Sequence, residues 1–119
     1  MATILVIDDA RLMRAICQDT LEEAGYRVLT AEHGKDGLRL LERQDVDLIL
    51  VDIFMPEMDG LELIPRLRKT RPATKIIAIT AGDGVRNYLD AAKHLGVHGT
   101  LKKPFTRQEL LDAVSAQLN

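Results

Sequence analysis

Leu48-Ile49-Leu50-Val51 is an unbroken apolar run, and the residue behind it is a carboxylate, Asp52. Ile4-Leu5-Val6-Ile7 repeats the arrangement before Asp8 and Asp9, and Ile76-Ile77-Ala78-Ile79 repeats it before Thr80. Runs that are apolar at every position, not at alternate ones, belong to strands covered on both faces, as in a parallel sheet. Two more polar runs, Arg27-Val28-Leu29-Thr30-Ala31 and Val97 to Leu101 with Gly99 inside it, read as strands at the sheet edges. Segments of helical period lie between the runs. Leu12, Ile16, Thr20 and Ala24 form one stripe, Val85, Leu89, Ala92 and Leu95 a second, and Leu110, Val114 and Leu118 a third, and the spacing assigns all three to the core. The alternation predicts an α/β fold: a doubly wound, five-stranded parallel sheet in the order 2-1-3-4-5 with helices on both faces.

Local signals punctuate this plan. Asp59 with Glu62, and Thr106 with Glu109, have the spacing of capping boxes at helix starts. Pro65 falls inside the third helical segment, where its missing N–H is expected to cause a kink. Gly82-Asp83-Gly84 reads as a loop.

Composition narrows the function classes. The chain of 119 residues reads as one domain, 1–119, able to bury about two thirds of its unfolded surface without a disulfide or structural metal. Sixteen Lys and Arg against 18 Asp and Glu give a net charge of −2, which argues against a nucleic-acid partner. No apolar run exceeds four residues, so no membrane span or signal peptide is expected, and the location implied is cytoplasmic. Cys17 has no second cysteine and no His at metal-ligand spacing, and reads as a small core residue. His33, His94 and His98 share no ligand spacing and read as surface residues.

Chemistry is expected at the carboxyl ends of the strands, where open α/β sheets bind ligands. Asp8 and Asp9 follow strand 1, Asp52 strand 3, Thr80 strand 4, and Lys102, Lys103 and Pro104 strand 5. Taken singly these residues have bland readings: Asp9 as the cap of a helix starting at Ala10, Asp52 as a turn former before Met55-Pro56, Thr80 as a strand end. Together they fit such readings poorly. Three carboxylates at one edge repel one another and raise each other's pKa unless a cation joins them. All-oxygen ligation points to Mg²⁺ or a similar hard cation, which pairs carboxylates with phosphate oxygens and so implies a phosphoryl ligand. Lys103 then supplies a point charge and Thr80 a hydroxyl donor. Lys102 is the weaker candidate, because strand alternation sends it to the other side.

These residues, in this order, resemble the receiver domain of bacterial two-component response regulators, most closely the stand-alone type of chemotaxis and phosphorelay pathways. The motifs are Ile7-Asp8-Asp9, Asp52-Ile53-Phe54-Met55-Pro56-Glu57-Met58-Asp59-Gly60, Thr80-Ala81 and Lys103-Pro104-Phe105, and the resemblance spans the chain. It implies a flavodoxin-like fold and a phosphoacceptor, Asp52, charged by the phosphohistidine of a sensor histidine kinase or phosphotransfer protein. It further implies Mg²⁺ held by Asp9, Asp52 and the Phe54 carbonyl with Asp8 acting through water, Lys103 on the phosphoryl group, and a cis Lys103-Pro104 peptide. Ala81 is small, as access to Asp52 requires. Thr80 moving toward the phosphoryl group would bias the surface of the fourth helix, fifth strand and fifth helix toward a downstream protein target. A monomer without an output domain is expected, an enzyme only in its own phosphorylation and dephosphorylation.

Three positions qualify the resemblance. Thr100 stands where the family usually has an aromatic switch residue, so either Tyr88 substitutes or the loop shift alone carries output; the loop is the favoured reading. Phe54, two residues after Asp52, would border the attacking water and implies slow autodephosphorylation. Arg11, Leu12 and Arg14 beside the acidic pocket are candidates for a kinase-docking face. Two other readings stay open: a Mg²⁺-dependent aspartyl phosphatase of haloacid dehalogenase type, which would want a spaced Asp-x-Asp after strand 1, and a phosphorylation-independent interaction module of the same fold.

Overall fold

The computed structural model describes residues 1–54, 60–81 and 92–118. Five parallel strands, β1 (Thr3–Ile7), β2 (Arg27–Ala31), β3 (Leu48–Asp52), β4 (Lys75–Ala81) and β5 (Gly99–Lys103), form one sheet in the order β2-β1-β3-β4-β5. Helices α1 (Arg11–Glu23), α2 (Gly34–Arg43), α3 (Gly60–Thr70) and a last helix, Arg107–Leu118, cover it. The expected fold class and strand order hold, with β2 and β5 at the edges.

The apolar runs work as their pattern requires. Ile4 and Val6, Leu48 and Leu50, and Ile77 and Ile79 pack into one core with Cys17, Leu21, Leu110 and Val114 from α1 and the last helix. Their neighbours Leu5 and Ile7, Ile49 and Val51, and Ile76 and Ala78 pack into the other, against Leu41 of α2 and Leu63, Ile64 and Leu67 of α3. Period-2 alternation in strands buried on both faces thus splits each run between two layers. Ala92 and Leu95 join the second core as expected, while Val85, Leu89, Tyr88, Gly82-Asp83-Gly84 and the Asp59 capping residue lie outside the described residues.

Two local expectations need correction. The core stripe of α1 is Met13, Cys17, Thr20 and Leu21; Leu12 is 73% and Ile16 42% exposed, and Ala24 is exposed too. Both stripes have helical spacing, and a step of one residue turns the helix by about 100°, so the packing partner makes the choice. Strand 5 begins two residues later than Val97, so Lys102 and Lys103 are its last two residues, and Thr80 likewise lies within β4. Pro65 lies inside helix α3, as the sequence places it, at an exposed position.

Turn chemistry closes the elements. Gly25 (φ +96) and Gly96 (φ +86) occupy left-handed positions, with Tyr26 N–H reaching Leu21 O and Val97 N–H reaching Ala92 O in Schellman-type closures. At the start of the last helix, Thr106 N–H donates to Glu109 Oε1 and Glu109 N–H to Thr106 Oγ1, both at 3.0 Å, which is the expected capping box.

Candidate functional site

The carboxyl edge of the sheet gathers Asp8, Asp9, Asp52, Thr80 and Lys103. Asp8 follows β1, Asp52 ends β3, and their strands are neighbours, with Ile7 opposite Val51. β4 continues the row: Asp52 pairs with Ile79 and Ala81 with Lys103, so Thr80 lies between the strand positions of the acid and the lysine.

The two buried acids are held in the same way. Ala10 N–H donates to Asp8 Oδ1 at 2.8 Å, and Phe54 N–H donates to Asp52 Oδ1 at 3.1 Å. Each is a local turn in which the carboxylate takes the amide two residues on. This fixes both side chains and leaves each Oδ2 for the same ammonium: Lys103 Nζ lies 3.1 Å from Asp8 Oδ2 and 3.6 Å from Asp52 Oδ2. The capping reading of Asp9 is not met. Helix α1 starts after Ala10 without a side-chain cap, and the carboxylate that engages this turn is that of Asp8.

Electrostatics follow from burial. Desolvation first, and the neighbouring Asp8 charge second, push the Asp52 carboxyl from 3.8 up to about 6, against Lys103 and the Phe54 amide, with a smaller push from Asp9. The expectation of mutual repulsion therefore holds for Asp52, but burial is the larger cause. Burial alone would lower the Lys103 pKa; the charges of Asp52 and Asp8 outweigh it and raise the ammonium above its ordinary value. Cys17, buried beneath the site, is pushed up to about 11, chiefly by desolvation, and is an inert core thiol as expected.

The residues fit a hard divalent cation. Asp8, Asp9 and Asp52 each offer a carboxylate oxygen within 4.8 Å of the others, and among the described residues no softer ligand accompanies them. Among the described residues, Thr80 Oγ1 is fully buried at this edge and has no hydrogen-bond partner. Phe54 projects with 39% exposure, and its neighbours Met55 to Asp59 lie outside the described residues. The Lys103-Pro104 peptide is cis. Lys102 is exposed, as alternation required, and Thr100 pairs with Ala78 in the β4–β5 ladder.

Two side chains have roles the sequence did not disclose. Arg14, read as a docking residue, turns inward and donates from Nη1 to the backbone carbonyl of Asp8 at 2.7 Å. His98, read as a plain surface residue, accepts the Ile76 N–H on Nδ1 at 3.0 Å, adding a rung before β5 begins. Burial, with Lys75 and Arg68 nearby, lowers its pKa. His33 sits before α2 with a partly exposed ring, and His94 is exposed.

Fold and site together define an α/β domain with an acidic, lysine-paired pocket suited to a cation and a phosphoryl group. Comparison with known proteins gives the family: the chain matches the response regulator receiver domain over residues 4–115 and belongs to that family. It is 36% identical over 117 residues to the transcriptional regulatory protein GlrR of Escherichia coli (strain K12), covering 98% of this chain and 26% of that protein. It is 36% identical over 115 residues to the response regulator MprA of Mycolicibacterium vanbaalenii, covering 97% of this chain and 49% of that one. The chain thus spans between a quarter and a half of the length of these two relatives. Among solved structures, the chemotaxis protein CheY4 of Vibrio cholerae superposes with a TM-score of 0.90 at 30% identity, covering 98% of each chain. Receiver domains are phosphoacceptor signalling modules, which sets the haloacid dehalogenase reading aside. Among the described residues, no helix is long and apolar enough to cross a membrane.

Proposed function

We propose that Asp52 is the phosphoacceptor of this receiver domain, charged by the phosphohistidine of a sensor kinase or phosphotransfer protein. The observation that carries the reading is the shared ammonium: Lys103 Nζ bridges Asp8 and Asp52, on the same sheet edge as the Thr80 hydroxyl, which has no partner among the described residues. Asp9, Asp52 and the Phe54 carbonyl would hold Mg²⁺, with Asp8 acting through water. That ion would neutralise charge on the phosphoryl oxygens and help keep Asp52 ionised. A carboxylate oxygen of Asp52 attacks phosphorus, the P–N bond to the donor imidazole breaks with its electron pair going to the ring, and an acyl phosphate forms. Lys103 is placed to transfer its contact from the carboxylates to the phosphoryl oxygens. Hydrolysis reverses the modification when water attacks phosphorus and the P–O bond to Asp52 breaks; the ring of Phe54 restricts that water, so the acyl phosphate is long-lived.

Thr80 supplies the switch. Its buried hydroxyl has no partner among the described residues, and a phosphoryl oxygen on Asp52 would give it one, which favours a shifted β4 end. With Thr100 in place of an aromatic, the shift itself changes the surface offered to a downstream protein. Leu12 and Ile16, exposed one turn apart on α1, support kinase docking beside the pocket.

Intact mass after incubation with acetyl phosphate tests the reading. A Mg²⁺-dependent gain of one phosphoryl group, lost in Asp52→Ala, is expected. No gain in a folded, Mg²⁺-binding protein overturns it and leaves the phosphorylation-independent module.

A further inference from the structure

The turn between β1 and α1 has to aim two consecutive carboxylates into one site, yet its sequence contains little to hold it. Residues 8–10, Asp-Asp-Ala, include no glycine or proline. The residue before the helix is Ala10, without a side-chain cap, and the first turn of α1 holds no acidic residue to meet the helix dipole. Arg11, at the first helical position, has the unfavourable charge for that end. The missing restraint comes from one turn further on: Arg14 Nη1 donates to the Asp8 carbonyl oxygen at 2.7 Å.

With this bond Asp8 is held at four points. Its N–H donates to Ala31 O at 3.2 Å, its Oδ1 accepts Ala10 N–H, its Oδ2 faces Lys103 and its carbonyl accepts Arg14. The Asp8 carbonyl belongs to the peptide that joins Asp8 to Asp9, so fixing it fixes the orientation of the plane from which Asp9 departs. Asp9 itself is half-buried.

We infer that Arg14 is a positioning residue for the cation site: by holding the Asp8–Asp9 peptide it presets the two carboxylates that, with Asp52, would receive Mg²⁺. The inference rests on the proposed metal-binding role of those three acids. Its sign is distinctive. A guanidinium beside an acidic cluster, acting through charge alone, repels a divalent cation, so its removal should tighten Mg²⁺ binding. Acting as a positioner, its removal should weaken binding, because ligands that must be ordered by the metal bind it less well.

Calorimetric titration of MgCl₂ into the phosphate-free protein at fixed ionic strength separates the two. For Arg14→Ala the dissociation constant is expected to rise on the order of ten-fold, while Arg14→Lys, which keeps a donor and the charge, recovers part of the loss. In metal-free protein, the amide resonances of Asp9 and Ala10 should move in Arg14→Ala and move back part of the way in Arg14→Lys. Tighter or unchanged binding in a folded Arg14→Ala, or amide resonances that stay in place, overturns the inference. If the unaltered protein binds no Mg²⁺, the metal-site reading itself fails, a result separate from any effect of Arg14.

Discussion

Neutralising Asp52 should stabilise the metal-free protein, although it removes a group at the centre of the site. The carboxyl is almost fully buried and its pKa rises from 3.8 to about 6, with desolvation the first cause and Asp8 the second. A carboxyl with a raised folded-state pKa favours the native state when protonated. That stability is fully present below 3.8 and is lost as pH rises through about 6. At ~1.4 kcal/mol per pH unit the penalty above pH 6 is about 3 kcal/mol. Asp52→Asn removes the titration and leaves Lys103 its 3.1 Å contact with Asp8, so most of the 3 kcal/mol should appear as added stability. For a chain of this length about 4 °C of Tm accompanies each kcal/mol, giving a ceiling of roughly 12 °C. Thermal unfolding by circular dichroism in EDTA at about pH 4 and about pH 7.5 is the assay. The variant should match the unaltered protein at the lower pH and exceed it at the higher, and saturating Mg²⁺ should narrow the gap by stabilising only the unaltered protein. Equal Tm values at the higher pH, or the same gap at both, would refute the reasoning.

Gly25 and Gly96 both have left-handed φ, but a Cβ at Gly25 meets open space, whereas one at Gly96 falls on the Arg68 guanidinium, 2.8 Å from Cζ. Gly25→Ala should cost about 1 kcal/mol for the backbone; Gly96→Ala should cost roughly 1 kcal/mol more by displacing the Arg68–Leu95 hydrogen bond. Urea unfolding measures both, and equal losses would count against the steric reading. The lowered pKa of His98 makes stability fall as pH drops below its ordinary 6.5, because the unfolded ring takes the proton more readily and the folded ring must keep Nδ1 free for Ile76. His98→Asn should flatten the Tm profile in that range, and an unchanged slope would assign the dependence elsewhere. Phe54→Asn should shorten the acyl-phosphate half-life, read as phosphate release after removal of acetyl phosphate; an unchanged half-life would remove the ring from the hydrolytic step.

Much of the site was legible because strand ends are legible. An apolar run that stops at a charged residue marks both the strand and its exit, and the parallel order then places Asp8, Asp52, Thr80 and Lys103 on one edge whatever the side-chain detail. The lack of Cys or His ligands pointed to an oxygen-bound cation for the same chemical reason that the cluster of Asp8, Asp9 and Asp52 fits one now. Contacts that depend on how a side chain folds back onto another segment were not legible. Nothing in the pattern of residues 93–99 shows that the ring of His98 completes a ladder with Ile76, and nothing around Arg14 shows that it bends back to Asp8.

Helix α1 marks the division most clearly. By itself the sequence determined that a helix follows strand 1, that strands 1 and 3 are buried on both faces, and that the acids follow them, because hydrophobic period and strand termination are local properties. It offered two apolar stripes on α1 of equal spacing, Leu12 with Ile16 and Met13 with Cys17 and Leu21. Only the tertiary structure decided between them. The helix must present one face jointly to β1, β2 and the last helix while its first turn stays tied to the Asp8 carbonyl, and the face that meets both demands carries Cys17 and Leu21. That orientation leaves Leu12 and Ile16 exposed on α1, which begins directly behind the acidic edge.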